Sequence, residues 1–275
     1  MKAWLNGEIV DLDEPAISLL DHGLTVGDGV FETLRTTPDG DAFALTRHVE
    51  RLRRSAAGLG LTPPDPDDIA VAVRAALAAN VGLDLQHGRV RVTLTSGPGP
   101  LGSERGPGPY TLVVTVQPGR PWPDTAAVGV PPWPRNERSP LTGLKTTSYA
   151  ENAVMLAWAK ERQFEEAVMG NLAGDLCEGT GSNIFVVIDD QAFTPTLDSG
   201  CLNGITRQLV IEWGDVIERD FPLQILETAD EVFLTSSTRD VQPVDRVDGR
   251  QVPVGPVTTR LRQLFAERSV EDVDP

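Results

Sequence analysis

Lysine is scarce in this sequence: beyond Lys2 there are only Lys145 and Lys160, and nearly every other cation is arginine. Cysteine is scarcer still. Cys177 and Cys201 cannot form a disulfide framework and match no zinc-ligand spacing, so a metal site is not expected and a reducing cytoplasm is the expected compartment. Long apolar runs are missing as well. The opening residues MKAWLNGEIV turn polar at Asn6, and no later stretch reaches the length of a membrane span, so neither export nor membrane insertion is expected. Nor is there a cationic surplus: 24 Lys and Arg stand against 40 Asp and Glu, a formal net charge of −16. That balance opposes nucleic acid and anionic membrane surfaces, and an anionic ligand must be met by local arginine or lysine. What remains is a chain of 275 residues, 40% hydrophobic, without low-complexity repeats and long enough to bury a substantial core.

Apolar runs flank Asn6-Gly7, the pair best suited to a type I′ turn, and predict a β-hairpin. Leu45, Val49, Leu52, Ala56 and Leu59 recur at helical spacing, with Thr46 as the expected cap and Gly60 as the stop. Ile69, Val73 and Leu77 predict a second helix over 66–80, ended by Asn80. Strands are expected around Val90, Val92 and Leu94 and over 111–116, joined by a Gly/Pro-rich loop at 97–109. Further on, helices are expected over 149–163, 206–213 and 256–268, and strands over 165–170, 184–188 and 231–235. The Pro-rich stretch after Gln117 is the expected domain connection, giving a first domain over 1–120, a connection over 121–131 and a second domain over 132–275. Helices and strands interleave in both halves without the Gly-x-Gly-x-x-Gly of a dinucleotide fold, so two α/β domains with a cleft between them are expected.

Four segments could carry chemistry. Lys145 stands among small and hydroxyl residues in Gly143-Leu144-Lys145-Thr146-Thr147-Ser148-Tyr149. A lysine kept where arginine is otherwise used suggests amine chemistry, because an amine can lose its proton and condense with a carbonyl whereas a guanidinium cannot. Glu178 precedes a glycine turn; it could be an exposed hairpin carboxylate, or face a pyridine nitrogen and keep that ring protonated. Asn203-Gly204-Ile205-Thr206-Arg207 opens a helix, and Thr235-Ser236-Ser237-Thr238 follows a strand. Together they offer N–H groups and hydroxyls for a phosphate, or serve only as caps. Arg51 is either a surface cation or the partner of that phosphate.

The ordered set of motifs resembles the class IV, or fold type IV, pyridoxal-phosphate aminotransferases and their lyase relatives. It comprises Asn6-Gly7-Glu8, DHGLTVGDGVFETLR at 21–35, RHVERLRRSA at 47–56, GLKTTSY at 143–149, CEGTGSNIF at 177–185, NGITR at 203–207 and ADEVFLTSSTRDVQPV at 229–244. The resemblance implies an α/β fold with a smaller N-terminal domain, a larger C-terminal cofactor-binding domain and pyridoxal 5′-phosphate in the cleft. It implies that Lys145 is the Schiff-base lysine, that Glu178 partners the pyridine nitrogen and that Arg51 meets the phosphate. Gly204, Ile205 and Thr206 would line one side of a phosphate cup and Ser236 and Ser237 the other, with Ser182 and Asn183 also on the cofactor and Tyr149 at its ring oxygen. A homodimer is implied too, acting on small amino acids and keto acids.

Within the family the sequence points several ways. Branched-chain enzymes usually carry Phe-Glu-Gly where this chain has Phe31-Glu32-Thr33. D-amino acid aminotransferases match residues 27–32 and the spacing from Lys145 to Tyr149, but have Tyr in place of Phe31 and an Arg-x-His pair in the loop where this chain has Leu101 and Ser103. Phe-x-Thr followed by Arg35 is common among aminodeoxychorismate lyases. The reading adopted is transamination of a D-amino acid, with the lyase that releases pyruvate and 4-aminobenzoate as the alternative, and a branched-chain or (R)-amine transaminase behind both. Phe31 and Thr33 are the expected substrate contacts. Arg35, Arg105 and Arg138 are candidate carboxylate anchors, each equally able to be a surface salt-bridge partner.

Overall fold

Asn6 and Gly7 adopt φ values of +46° and +104° in the computed structural model, which describes residues 1–14 and 17–275. Their left-handed backbone turns β1 (Lys2–Leu5) back onto β2 (Glu8–Asp11), as the Asn-Gly pair predicts. The chain forms two units. The first comprises Met1–Pro121, Leu144–Tyr149 and Asp272–Pro275, and the second comprises Trp122–Gly143 and Ala150–Glu271. The division differs from the simple cut expected at 121–131. That segment carries a strand of the second unit, whereas 144–149 and 272–275 bond to the first.

The first unit continues with α1 (His22–Thr25), β3 (Gly29–Arg35), α2 (Leu45–Gly58), α3 (Pro66–Ala78), β4 (Arg89–Thr95) and β5 (Thr111–Gln117). Its sheet runs β2-β1-β5-β4-β3, every pair antiparallel. Alternation decides the faces: Val30 and Leu34 of β3, with Val90, Val92 and Leu94 of β4, pack with Leu52 of α2 and Ile69 of α3 in one core. Phe31, Thr33 and Arg35 of β3, with Arg89, Arg91 and Thr93 of β4, therefore lie on the opposite face. Thr46 is not the cap of α2. The N-cap is Ala44, at φ +54° and without a side-chain bond, and Asp274 instead accepts hydrogen bonds from the Thr46 N–H (2.8 Å) and hydroxyl (2.6 Å).

β3 breaks the apolar alternation because a carboxylate, Glu32, occupies a core position. Arg51 of α2 grips it through Nε and Nη2, both at 2.7 Å, and His48 Nδ1 lies 2.7 Å from the same carboxylate. All three side chains are buried. Burial alone would raise the Glu32 pKa, but the charge and hydrogen bonds of Arg51, joined by His48, hold the carboxyl well below the ordinary range. Burial holds the His48 pKa below its usual value, and the charges of Arg51 and Lys145 act in the same direction against the opposing pull of Glu32. The imidazole is thus neutral, and donates from Nδ1.

The second unit contains β6 (Ala126–Gly129), α4 (Ala150–Glu161), β7 (Glu166–Gly170), β8 (Leu176–Gly179), β9 (Asn183–Ile188), β10 (Gln191–Thr194), α5 (Ile205–Trp213), β11 (Val216–Glu218), β12 (Glu231–Ser236), β13 (Asp240–Val247), β14 (Arg250–Gln251) and α6 (Pro256–Glu271). Strand order is β11-β10-β9-β12-β13-β6-β7-β8. β8 pairs with β9 as well, which closes β9-β12-β13-β6-β7-β8 into a ring. Val128, Val168, Leu176, Ile184, Val186, Val232, Leu234 and Val244 fill its core. No helix among the described residues is long and apolar enough to cross a membrane, and no cluster of His, Cys, Asp and Glu among them could hold a metal ion.

The depressed His48 pKa carries a definite sign. As pH falls through about 6.5 the unfolded chain takes up a proton on this residue before the folded chain does, so stability is lost with acidification. His48→Gln should therefore flatten the fall of unfolding free energy between about pH 6 and pH 5, by up to ~1.4 kcal/mol per pH unit. Urea unfolding across that range measures it, and an unchanged slope would contradict the neutral buried imidazole.

Candidate active site

β3 is the edge strand of its sheet, and its open side is taken by residues 145–147. The Phe31 N–H donates to the Lys145 carbonyl (2.9 Å), the Thr147 N–H to the Gly29 carbonyl (2.8 Å), and the Lys145 N–H to Ser55 Oγ (3.2 Å). The hydroxyls of Thr147 and Ser148 both donate to the Gly27 carbonyl, at 2.9 and 3.0 Å. Glycine is required at 29, because a Cβ there would press on the Leu94 carbonyl and on Thr147. The lysine backbone is thereby pinned on both sides, which places Nζ 4.5 Å from the ring centroid of Phe31 and 5.8 Å from that of Tyr149. Those two rings meet edge to face at 5.2 Å.

Arg91 shares this face. Its guanidinium carbon lies 4.1 Å from the Phe31 ring centroid, and its register partner on β3 is Thr33. Desolvation lowers its pKa, opposed by Tyr149 and Glu32, and among the described residues it makes no hydrogen bond or ion pair. Nothing in the sequence singled out Arg91. The alternation of Val90, Val92 and Leu94 shows that it points away from the core, but only the β3–β4 register shows that it stands beside Phe31.

The three arginines expected as carboxylate anchors have the following surroundings. Arg105 donates to both oxygens of Asp28 at 2.7 Å and to the carbonyls of Gly60 (3.0 Å) and Leu59 (2.8 Å), so it ties its loop to the end of α2. Its hydrogen bonds hold the Asp28 carboxyl below the usual pKa. Arg35 lies over the Phe43 ring at 4.0 Å. Arg138 is a surface residue, its side chain 82% exposed and 3.5 Å from Glu137. Arg51 is buried rather than a surface cation, with Nε and Nη2 on Glu32.

In the second unit Glu178 is the penultimate residue of β8, cross-strand from Asn183 of β9. It is buried: one oxygen meets Arg135 Nη2 at 3.1 Å, and the other accepts the Leu202 N–H at 2.9 Å. Burial first, and the Glu178 charge second, push the neighbouring thiols upward, Cys201 to about 11 and Cys177 further, so both cysteines are unreactive packing residues. The Ser182 hydroxyl donates to Glu166 at 3.3 Å.

α5 opens at Gly204, whose N-cap position has no side-chain bond. A Cβ at 204 would overlap Asn183 Oδ1, while Asn183 Nδ2 donates to the Leu202 carbonyl at 2.7 Å. Ile205 and Thr206, both buried, form the first turn. Opposite Asn183 in the β9–β12 register stands Thr235, whose hydroxyl is buried and has no hydrogen-bond partner among the described residues. Ser236 begins the turn that follows β12, where its Oγ accepts the Arg239 N–H at 3.2 Å. An uncapped helix N-terminus that excludes a side chain, with an orphaned hydroxyl close by, suits a phosphate group.

A family model for class IV amino-transferases matches residues 29–247. A putative branched-chain-amino-acid aminotransferase of Methanocaldococcus jannaschii is 32% identical, with 97% of this chain and 96% of that protein covered. A D-alanine aminotransferase of Staphylococcus haemolyticus is also 32% identical, with 96% of each covered. Among solved structures, the branched-chain aminotransferase of Thermoproteus uzoniensis with norvaline superposes with a TM-score of 0.90 at 29% identity, covering 97% of this chain and 94% of that one. A hypothetical aminotransferase of Mycobacterium tuberculosis in its PLP-bound form superposes at 0.87, with 26% identity and coverage of 99% and 100%. With its pinned lysine, its uncapped phosphate-type helix start and a family match over most of its length, this chain belongs to the class IV aminotransferases, the fold type IV enzymes that use pyridoxal 5′-phosphate.

Proposed function

We propose that this chain moves an amino group from a D-amino acid to a 2-keto acid, with Lys145 bearing the cofactor aldehyde. The observation that carries the reading is the amine of Lys145, held by main-chain bonds at a sheet edge and set against the Phe31 and Tyr149 rings. When bound, pyridoxal phosphate supplies an electron sink for the charge left when the substrate Cα loses its proton. The remaining roles belong to the protein. Lys145 Nζ would hold the cofactor through its aldehyde carbon and, when free, would act as the base and acid that moves the substrate Cα proton. Glu178, its oxygens oriented by Arg135 and the Leu202 N–H, keeps the ring nitrogen protonated. Tyr149 would hold the ring oxygen, and Arg51, Gly204 to Thr206, Ser236 and Ser237 would hold the phosphate.

Arg91 is the carboxylate anchor in this reading, in place of Arg35, Arg105 and Arg138. A guanidinium with no ion-pair partner among the described residues, on the same ring as the lysine amine, is suited to hold a substrate carboxylate while that amine works at the neighbouring carbon. The choice of D-amino acids is supported by the match over residues 27–32, by the Lys145-to-Tyr149 spacing and by relatives named D-alanine aminotransferase at 28–32% identity. A homodimer is part of the proposal: Ile17, Leu19, Leu20, Leu24, Val26 and Leu101 leave large apolar surface exposed in the first unit.

Three outcomes are expected. Lys145→Ala should lose the yellow colour of the bound cofactor and at least about 10³-fold in turnover; a coloured, active variant would remove the lysine from its role. Arg91→Leu should raise KM for the amino acid about 10–100-fold with a much smaller change in kcat, and an unchanged KM would return the anchor to another residue. Supplied with 2-oxoglutarate, the enzyme should deaminate D-alanine faster than L-leucine. A preference for L-leucine would make it a branched-chain enzyme, and pyruvate released from aminodeoxychorismate without an amino acceptor would make it a lyase.

A further inference from the structure

We propose that the buried Arg239–Glu166 pair is a positioning strut that holds the phosphate-binding turn in register with the ring-binding carboxylate Glu178, and so sets this chain's selectivity for the phosphorylated form of its cofactor. The inference rests on the reading above and concerns only the second unit.

The two side chains are 5% and 2% exposed and meet at 3.2 Å, across 73 residues of sequence. Taking two charges out of water costs so much that a pair of this kind adds little net stability over apolar packing. Its product is geometry. Glu166 opens β7, and one of its oxygens accepts from both the N–H and the hydroxyl of Thr180, the N–H at 3.2 Å. The other accepts from Ser182 Oγ at 3.3 Å and from Arg239. The turn that follows Glu178 thus hangs in part from this carboxylate, beside the Thr180 N–H bond to the Ala167 carbonyl (3.0 Å) and the Asn152 Nδ2 bond to the Thr180 carbonyl (2.7 Å).

Arg239 closes the turn at the other end. Its N–H donates to the carbonyl and to the hydroxyl oxygen of Ser236, both at 3.2 Å. Its guanidinium donates to Gln242 Oε1 at 2.6 Å and stacks over the Trp122 ring at 3.7 Å, while Trp122 Nε1 donates to the Thr238 hydroxyl at 3.3 Å. A planar, stacked, forked cation fixes direction as well as distance, which an ammonium does not. With Ser236 Oγ accepting from Arg239, the hydroxyl proton is left to donate to a phosphate oxygen. If the strut is removed, the turn bearing Ser236 and Ser237 loses its alignment with the turn that continues from Glu178. Recognition of the phosphate then suffers more than recognition of the ring.

The test titrates the cofactor-free full-length protein with pyridoxal phosphate and, separately, with pyridoxal, which lacks the phosphate, following visible absorbance. The readout is the ratio of the two dissociation constants. Arg239→Met should lower the preference for the phosphorylated form by about tenfold or more, and Arg239→Lys should restore part of it. Because a lone buried Glu166 could prevent folding, the uncharged pair Glu166→Gln/Arg239→Met is measured alongside and should show the same loss. A folded variant whose ratio equals that of the wild type, even with both ligands weakened alike, would make the pair merely structural and overturn the proposal. Wild-type protein that binds neither ligand would instead overturn the functional reading itself.

Discussion

Backbone pairing of residues 145–147 with the open edge of β3 is the constraint on which the first unit's chemistry depends. An edge strand presents unpaired N–H and C=O groups, and here they are satisfied by the segment that carries the reactive amine. The bonds at Phe31, Gly29 and Ser55 fix the lysine main chain, so little of its long side chain is needed to set the amine. The same alternation that sends Val30 and Leu34 into the core sends Phe31 to the amine and brings Arg91 beside it. Sheet geometry therefore delivers an amine, two aromatic rings and a guanidinium to one face without any of them being adjacent in sequence.

Both units contain charge where apolar packing would have sufficed. Glu32, His48 and Arg51 sit between β3 and α2, and Glu166 and Arg239 sit under the turns of the closed sheet. Removing one partner of such a group costs about 3–5 kcal/mol, because the other charge is left buried and unpaired, whereas the intact group contributes little. Their common property is direction. Glu32 holds Arg51 by a two-point grip at 2.7 Å, and Glu166 holds two turns through one carboxylate. A carboxylate with several donors orients what it binds more tightly than a methyl group can.

Local signals were legible where local physics decides the outcome. Asn6-Gly7 announced the hairpin, and the apolar spacing announced α2 and α3 to within a residue or two. The scarcity of lysine marks Lys145 in a chain whose other cations are nearly all arginine. β3 was not legible, because Glu32 at a core position breaks the pattern until Arg51 and His48 are known to face it. The Thr46 cap failed because Asp274, 228 residues away, does the work that a local side chain usually does. Arg105 illustrates the same limit: its sequence position admits either an anchor or an ion pair, and only the fold places Asp28 within 2.7 Å. Glu178 stood out by its place before a glycine turn, with an exposed and a ring-facing reading both open, whereas Arg91, Glu166 and Arg239 needed strand register and long-range contact to be seen at all.

The account's central claim is that one amine, and not another, carries the cofactor. Borohydride reduction of the pyridoxal-phosphate-loaded enzyme, followed by proteolysis and mass mapping, tests it without reference to turnover. The account predicts a single phosphopyridoxyl mass addition on the peptide containing Lys145. Label on Lys160, or none on either, would contradict it.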